Sequence, residues 1–193
     1  MLDYVKGEIA ELTPTDLVLE LSGIGYLMHI SLNSYSQLQG KDKVKMYIHE
    51  VIREDAHLLF GFTSTDERDV FRLLISVSGV GANTARMILS SMTADEVRQA
   101  IAEENVNILK SIKGIGAKSA LRIIVDLKDK IGKIPDSSQI LSSADNTVKK
   151  EALSALEILG FNRRESEKVI DKLISRDNSL NVEELIKQAL KLL

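Results

Sequence analysis

Two glycine turns are the residues of this chain best suited to chemistry: Gly79-Val80-Gly81 and Gly114-Ile115-Gly116, 35 residues apart in matching surroundings. Each follows an apolar run, Leu73-Leu74-Ile75-Ser76-Val77 before the first and Ile108-Leu109-Lys110-Ser111-Ile112 before the second. Each opens into a helix-like stretch, residues 82–89 and 117–124. The chemistry is anion capture. A helix N-terminus presents backbone N–H groups without intrahelical partners and the positive end of the helix dipole, so it can hold a phosphate with no side chain at all. Glycine permits positive φ and lets an oxyanion approach the backbone closely, while Val80 or Ile115 anchors the turn in the core. Polar side chains gather around the helix starts: Asn83 and Arg86 after the first turn, Lys113 within the second segment, Lys118, Ser119 and Arg122 after it. Lys118 and Arg122, four residues apart, share a helix face. Arg86 and Arg122 follow the leading glycines by seven and eight residues and read as equivalent. Such contacts grip a nucleic-acid backbone and carry no sequence information.

A lone Gly-x-Gly says little. Gly23-Ile24-Gly25 has the same letters, but residues 15–21 and 26–32 around it alternate apolar and polar, so it reads as a β-hairpin turn. It is the repetition, with helical flanks both times, that makes the other pair a nucleic-acid signal.

The remaining candidates for chemistry are weaker. Glu54 and Asp55 are adjacent carboxylates with His57 close by. Acid–base or metal work would need further ligands, none of which is evident nearby, and adjacent carboxylates between two strands read first as a solvated turn. There is no cysteine to bridge or to bind metal, and no Gly-x-x-x-x-Gly-Lys-[Ser/Thr] nucleotide loop. No catalytic residue, metal or cofactor is assigned. A DNA-processing enzyme carrying the same hairpins, and a general DNA-binding or protein scaffold with purely structural turns, are the competing readings.

The elements that must position these turns follow from periodicity. Residues 2–12, 15–21, 26–32, 44–52 and 58–62 read as five strands, with a helical turn over 33–38. Five strands in residues 1–63 predict a small closed barrel, most often an OB-fold. Residues 64–130 read as helical, with Ser64 or Thr65 capping one helix and Thr93 and Glu96 forming a capping box for another. Residues 131–146, with Gly132, Pro135 and runs of Ser, Asp and Asn, read as a flexible linker. Residues 147–193 read as three short helices, the first stopped by Gly160 and the others opened by Asn162 and Asn181. A tethered module of that size suits protein binding. Its candidate surface is Leu153, Leu156, Leu159 and Phe161, which could equally be its own core.

Composition sets limits. A hydrophobic content of 44% supports packed cores across two or three small domains. Asp3, Lys6 and Glu8 interrupt any signal-like apolar region, and no apolar stretch approaches the ~18 residues of a membrane span. A cytoplasmic protein without membrane contact is expected. The net charge of −3 does not advertise a nucleic-acid binder, but its distribution helps. Residues 1–64 hold five basic and nine acidic side chains; residues 65–130 hold ten and nine, with Arg86, Lys110, Lys113, Lys118 and Arg122 gathered about the turns.

Barrel, paired hairpins, linker and three-helix tail, in that order, resemble the RuvA family of bacterial Holliday junction branch-migration proteins, over the whole chain. The resemblance rests on Arg53-Glu54-Asp55-Ala56-His57-Leu58-Leu59-Phe60-Gly61-Phe62, Ser78-Gly79-Val80-Gly81, Lys113-Gly114-Ile115-Gly116-Ala117-Lys118-Ser119-Ala120, Arg122-Ile123-Ile124-Val125-Asp126-Leu127-Lys128, and Ala155-Leu156-Glu157-Ile158-Leu159-Gly160-Phe161. It implies an α+β multi-domain fold: an OB-fold barrel, tandem helix-hairpin-helix motifs and a UBA-like tail. It also implies a homotetramer, or an octamer on DNA, that holds a four-way junction open, with the hairpins on the minor-groove backbone of each arm. The tail would recruit the hexameric RuvB ATPase, with the RuvC resolvase a further partner, in recombination, repair and the SOS response. Glu54 and Asp55 would form an acidic pin at the tetramer centre. The chain departs from the family pattern at Asn83 and Ala117, where many members carry Lys, and at Leu121, where Glu is usual. These departures shift the expected grip at the first hairpin toward backbone N–H groups and Arg86.

Overall fold

The computed structural model describes residues 1–131, 144–177 and 180–193. The chain divides into two compact units, Met1–Pro135 and Asp136–Leu193.

The first unit opens with strands β1 (Tyr4–Leu12), β2 (Asp16–Leu21) and β3 (Ile24–His29), helix α1 (Leu32–Leu38), then β4 (Lys43–Ile52) and β5 (His57–Phe62). The strands close into a barrel in the order β1-β2-β3-β5-β4, the seam being a parallel pairing of His29 with Phe60. Inward side chains such as Leu17, Leu19, Met28, Met46 and Ile48 are fully buried and fill it. Gly7 is fixed by packing: a Cβ there would lie 2.2 Å from the Glu20 carbonyl oxygen.

The expected three-residue turn Gly23-Ile24-Gly25 is shorter than its letters imply. Leu21 pairs directly with Ile24, and Ser22 and Gly23 both take positive φ, 51° and 80°. That is the primed two-residue turn whose twist matches the flanking strands. Ile24 and Gly25 belong to β3, which starts two residues earlier than the alternation places it. Its far end stops at His29 because Ser31 caps α1 through a hydrogen bond from the Ser34 N–H.

Five helices complete the unit: α2 (Thr65–Ile75), α3 (Ala82–Ser91), α4 (Ala94–Ala102), α5 (Val106–Ser111) and α6 (Ala117–Ile131). Ser64 caps α2, and Thr93 with Glu96 forms the expected capping box on α4. Phe71 of α2 packs on Phe60 and Phe62 of β5, with ring centroids 5.2 and 4.9 Å apart. Barrel wall and helices therefore share one hydrophobic core.

The second unit holds α7 (Ala144–Ile158), α8 (Arg163–Arg176) and α9 (Val182–Ala189) around Leu153, Leu156, Ile170, Leu173 and Leu185. Of the stretch expected as linker, residues 132–143 lie outside the described residues; Ile131 closes α6, and α7 begins at Ala144, three residues before the expected start. Gly160, at φ +95°, ends α7 in a Schellman motif. The Phe161 N–H bonds the Leu156 carbonyl and the Gly160 N–H bonds that of Glu157, each at 3.0 Å.

Candidate nucleic-acid interface

The two hairpins are built alike to within a tenth of an ångström. In the first, the Val80 N–H donates to the Val77 carbonyl at 3.0 Å; in the second, the Ile115 N–H donates to that of Ile112 at 3.1 Å. Gly79 and Gly114 sit third in these turns with φ of +89° and +90°. Type II turns require positive φ at that place, which explains the leading glycines. Val80 and Ile115 are 6% and 5% exposed, the anchoring expected of them.

The trailing glycines have no such explanation inside the molecule. Gly81 caps α3 at φ −84° and ψ 168°, a conformation open to any residue, and Gly116 does not take positive φ. A Cβ on either would meet nothing within 4 Å. Their helices start identically: Ala85 N–H to Gly81 carbonyl at 2.9 Å, Ala120 N–H to Gly116 carbonyl at 3.0 Å. No side chain caps α3. Each hairpin thus presents free N–H groups across a surface kept bare of side chain, which suits an anion arriving from solvent.

The hairpins also meet each other. The Arg122 guanidinium on α6 donates to the Ser78 carbonyl in the first turn at 3.4 Å. Met87 on α3 lies against Gly114 in the second turn, its Cε 3.4 Å from where a Cβ would be. With the 35-residue offset, Met87 is the true counterpart of Arg122, and Arg86 that of Leu121. The equivalence read between Arg86 and Arg122 is therefore off by one residue, about 100° around a helix. Arg86 turns to the barrel, where it donates to the Thr15 carbonyl at 3.1 Å. There it faces Asp16. Burial alone would raise the Asp16 carboxyl, but hydrogen bonds from Thr15 and His29 and the charges of His29 and Arg86 hold it below its ordinary range.

The free cations lie on one side of this pseudo-symmetry. Lys113 and Lys118 are exposed and make no ion pair among the described residues. Their counterparts at the first hairpin are Ser78 and Asn83, both exposed and uncharged. Ser119 is half-buried.

Three family comparisons match the chain in order: RuvA N terminal domain over residues 1–61, SAM-like Helix-hairpin-helix tandem over 71–129, and RuvA, C-terminal domain over 147–193. The Holliday junction branch migration complex subunit RuvA of Christiangramia forsetii is 50% identical over 191 residues, covering 99% of each chain. Its namesakes in Bacteroides thetaiotaomicron and Azobacteroides pseudotrichonymphae are each 49% identical, covering 99% and 100% of both chains. The chain belongs to the RuvA family. Its fold is the α+β arrangement of that family, with a closed five-stranded barrel and a tandem helix-hairpin-helix domain.

In this RuvA-family chain Glu54 and Asp55 form the exposed tip between β4 and β5, closed by the Arg53 N–H on the Ala56 carbonyl at 2.8 Å. His57 is not part of a metal cluster: it lies 3.4 Å from Glu50, and no group of three potential ligands exists among the described residues. In the tail, Leu153 and Leu156 are 5% and 0% exposed, so they are core and not contact surface. Phe161 is half-buried because the Schellman motif folds it back toward Leu156. Leu159 is exposed, and so is Ile158, at 83%, which the sequence reading missed. Its signal is the helical repeat: Leu156 points inward, and Ile158, two residues or about 200° further round, faces out.

Proposed function

We propose that this chain binds four-way DNA junctions as a homotetramer and recruits the RuvB ATPase for branch migration in recombination and repair. The observation that carries the reading is the pair of matched hairpins with bare trailing glycines, held in one unit with a barrel whose tip is acidic. Hairpins supply phosphate contacts on duplex arms. The Glu54-Asp55 tip repels phosphate, which has a use on a DNA-binding face only as steering. With four copies around a crossover the tips keep the strands apart while the hairpins hold the arms. Exposed Leu21 and Ile24, directly paired at the end of the β2–β3 hairpin and 42% and 58% accessible, give the barrel an apolar surface for a second copy. The exposed Ile158–Leu159 end of α7 is the surface offered to RuvB. RuvC partnership and a cytoplasmic location belong to the same proposal; among the described residues no helix is long and apolar enough to cross a membrane.

The test is a gel-shift comparison of a four-way junction with linear duplex of the same arm sequence. Preference for the junction is expected; equal or absent binding refutes the reading. Glu54→Gln with Asp55→Asn should keep or tighten junction binding and change the migration rate with RuvB. An unchanged rate would remove the pin role.

A further inference from the structure

Helix α1 sits between strands of the barrel yet is bonded to two helices outside it. Leu38 at its end is buried in the barrel core. At its start the Ser31 and Ser34 hydroxyls donate to the two carboxylate oxygens of Glu67 on α2, at 2.5 and 2.8 Å. One residue along, the Asn33 side-chain amide donates to two carbonyls at the end of α3, Leu89 at 2.7 Å and Met92 at 3.0 Å. The Leu32 N–H donates to Ser90 Oγ of the same turn at 3.1 Å. The last carbonyls of a helix have no intrahelical partner. Here Asn33 of α1 satisfies one of them, Leu89, together with the carbonyl of the capping residue Met92, so the cap of α3 is also its joint to α1 and the barrel. Among the described residues no hydrogen bond or ion pair runs from α5 or α6 to the barrel. The second hairpin meets the first through Arg122 and Met87, and α6 behind it packs on α4 and α2.

We propose that Asn33 is a positioning residue for junction recognition: through α1 it fixes the end of α3, and with it the first hairpin, relative to the acidic tip of the barrel. This rests on the function proposed above. Linear duplex engages the hairpins alone, whereas a junction must meet hairpins and tip together. When two contacts are made by one body, the second gains from an effective concentration set by how well the spacing is held. Loosening the joint therefore weakens the junction and leaves the duplex alone. Asn33 touches neither.

The experiment measures fluorescence anisotropy of labelled four-way junction and labelled linear duplex with the full chain, wild type and Asn33→Ala, alongside a thermal melt. Loss of two hydrogen bonds at the joint should weaken junction binding about tenfold and leave duplex binding within about twofold. Asn33→Asp, which points a carboxylate at two carbonyls, should weaken the junction more than Asn33→Ala does. If Asn33→Ala is unfolded at the assay temperature, Ser90→Ala, which removes the Leu32 partner at that joint and the Ser90 hydroxyl's bond back to the Arg86 carbonyl of its own helix, carries the test with about a threefold junction-selective loss. Parallel losses on both DNAs, or no loss on either, overturn the proposal. A wild-type chain without junction preference overturns the function itself, and this inference with it.

Discussion

Gly81→Ala separates what the hairpin needs for folding from what it needs for binding. Gly81 has an extended conformation that alanine adopts freely, and nothing lies within 4 Å of the new Cβ. Replacing such a glycine lowers the entropy of the unfolded chain, worth ~0.4–1 kcal/mol, but at an N-cap alanine is a poorer residue than glycine by a similar amount. The two effects offset, and the melting temperature should shift by less than about 2 °C. Binding should change far more. The methyl group stands in front of the free N–H groups of α3 and keeps a phosphate from them. A hydrogen bond to a charged group contributes ~1.5–3 kcal/mol, so the affinity for duplex should fall by roughly 10- to 100-fold. Gly116→Ala should behave alike. Gly79→Ala is the control: its φ of +89° would cost alanine about 1–2 kcal/mol, lowering the melting temperature as well. The assay is a thermal melt paired with anisotropy on labelled duplex. A Gly81→Ala protein that melts like wild type and binds as tightly would refute the claim that the bare surface is there for phosphate.

Lys113→Gln and Lys118→Gln should each reduce the slope of log affinity against log salt by about 1 per bound chain, whereas Asn83→Ala should lower affinity with the slope unchanged. Slopes left unchanged by the lysine substitutions would mean that neither lysine contacts phosphate. Burial pushes the Glu67 carboxyl above its ordinary 4.5, against hydrogen bonds from Ser31, Ser34 and Thr63. The folded chain then keeps a proton that the unfolded chain has released, so this group's contribution falls as pH rises from 4.5 through the raised value. Melting curves of Glu67→Gln against wild type should diverge over that window in favour of Gln; parallel curves would show that the carboxyl is not perturbed. In the tail, Leu156→Ala should destabilise the second unit by ~2–5 kcal/mol, while Ile158→Asp should leave its melt unchanged and abolish stimulation of the RuvB ATPase. A stable Leu156→Ala variant would mean that the core lies elsewhere.

The barrel, the capping residues and both glycine turns were legible in the sequence because each depends on local chemistry: alternation, a polar residue three before its partner, a glycine where φ must be positive. What was not legible depends on where one element meets another. Seven and eight residues after a glycine look interchangeable in a string, yet they direct Arg86 to the Thr15 carbonyl and Arg122 to the opposite hairpin. Leu153 and Leu156 have the right spacing for a docking stripe or for a core, and only the packing of α8 and α9 decides for the core. Asn33 gave no signal at all. An asparagine in a seven-residue helix is ordinary until the end of α3 is laid against it.

A chain of net charge −3 that binds DNA is better understood from the two kinds of contact than from their sum. Lysine attracts phosphate over about a Debye length, ~8 Å in physiological salt, whatever the shape of the DNA. A backbone N–H acts only at hydrogen-bond distance, after the phosphate has come to rest in the turn. At the first hairpin the positions matching Lys113 and Lys118 are Ser78 and Asn83, and Arg86 is engaged with the barrel, so the contact there is almost wholly of the second kind. The second hairpin carries the free cations. Charge at one hairpin and backbone at the other lets a duplex be found by attraction but held only where both turns seat together. Adding lysine to the first hairpin, as in Asn83→Lys, would put a contact of the first kind beside one of the second and steepen the slope of log affinity against log salt by about 1; an unchanged slope would mean that position 83 does not face phosphate.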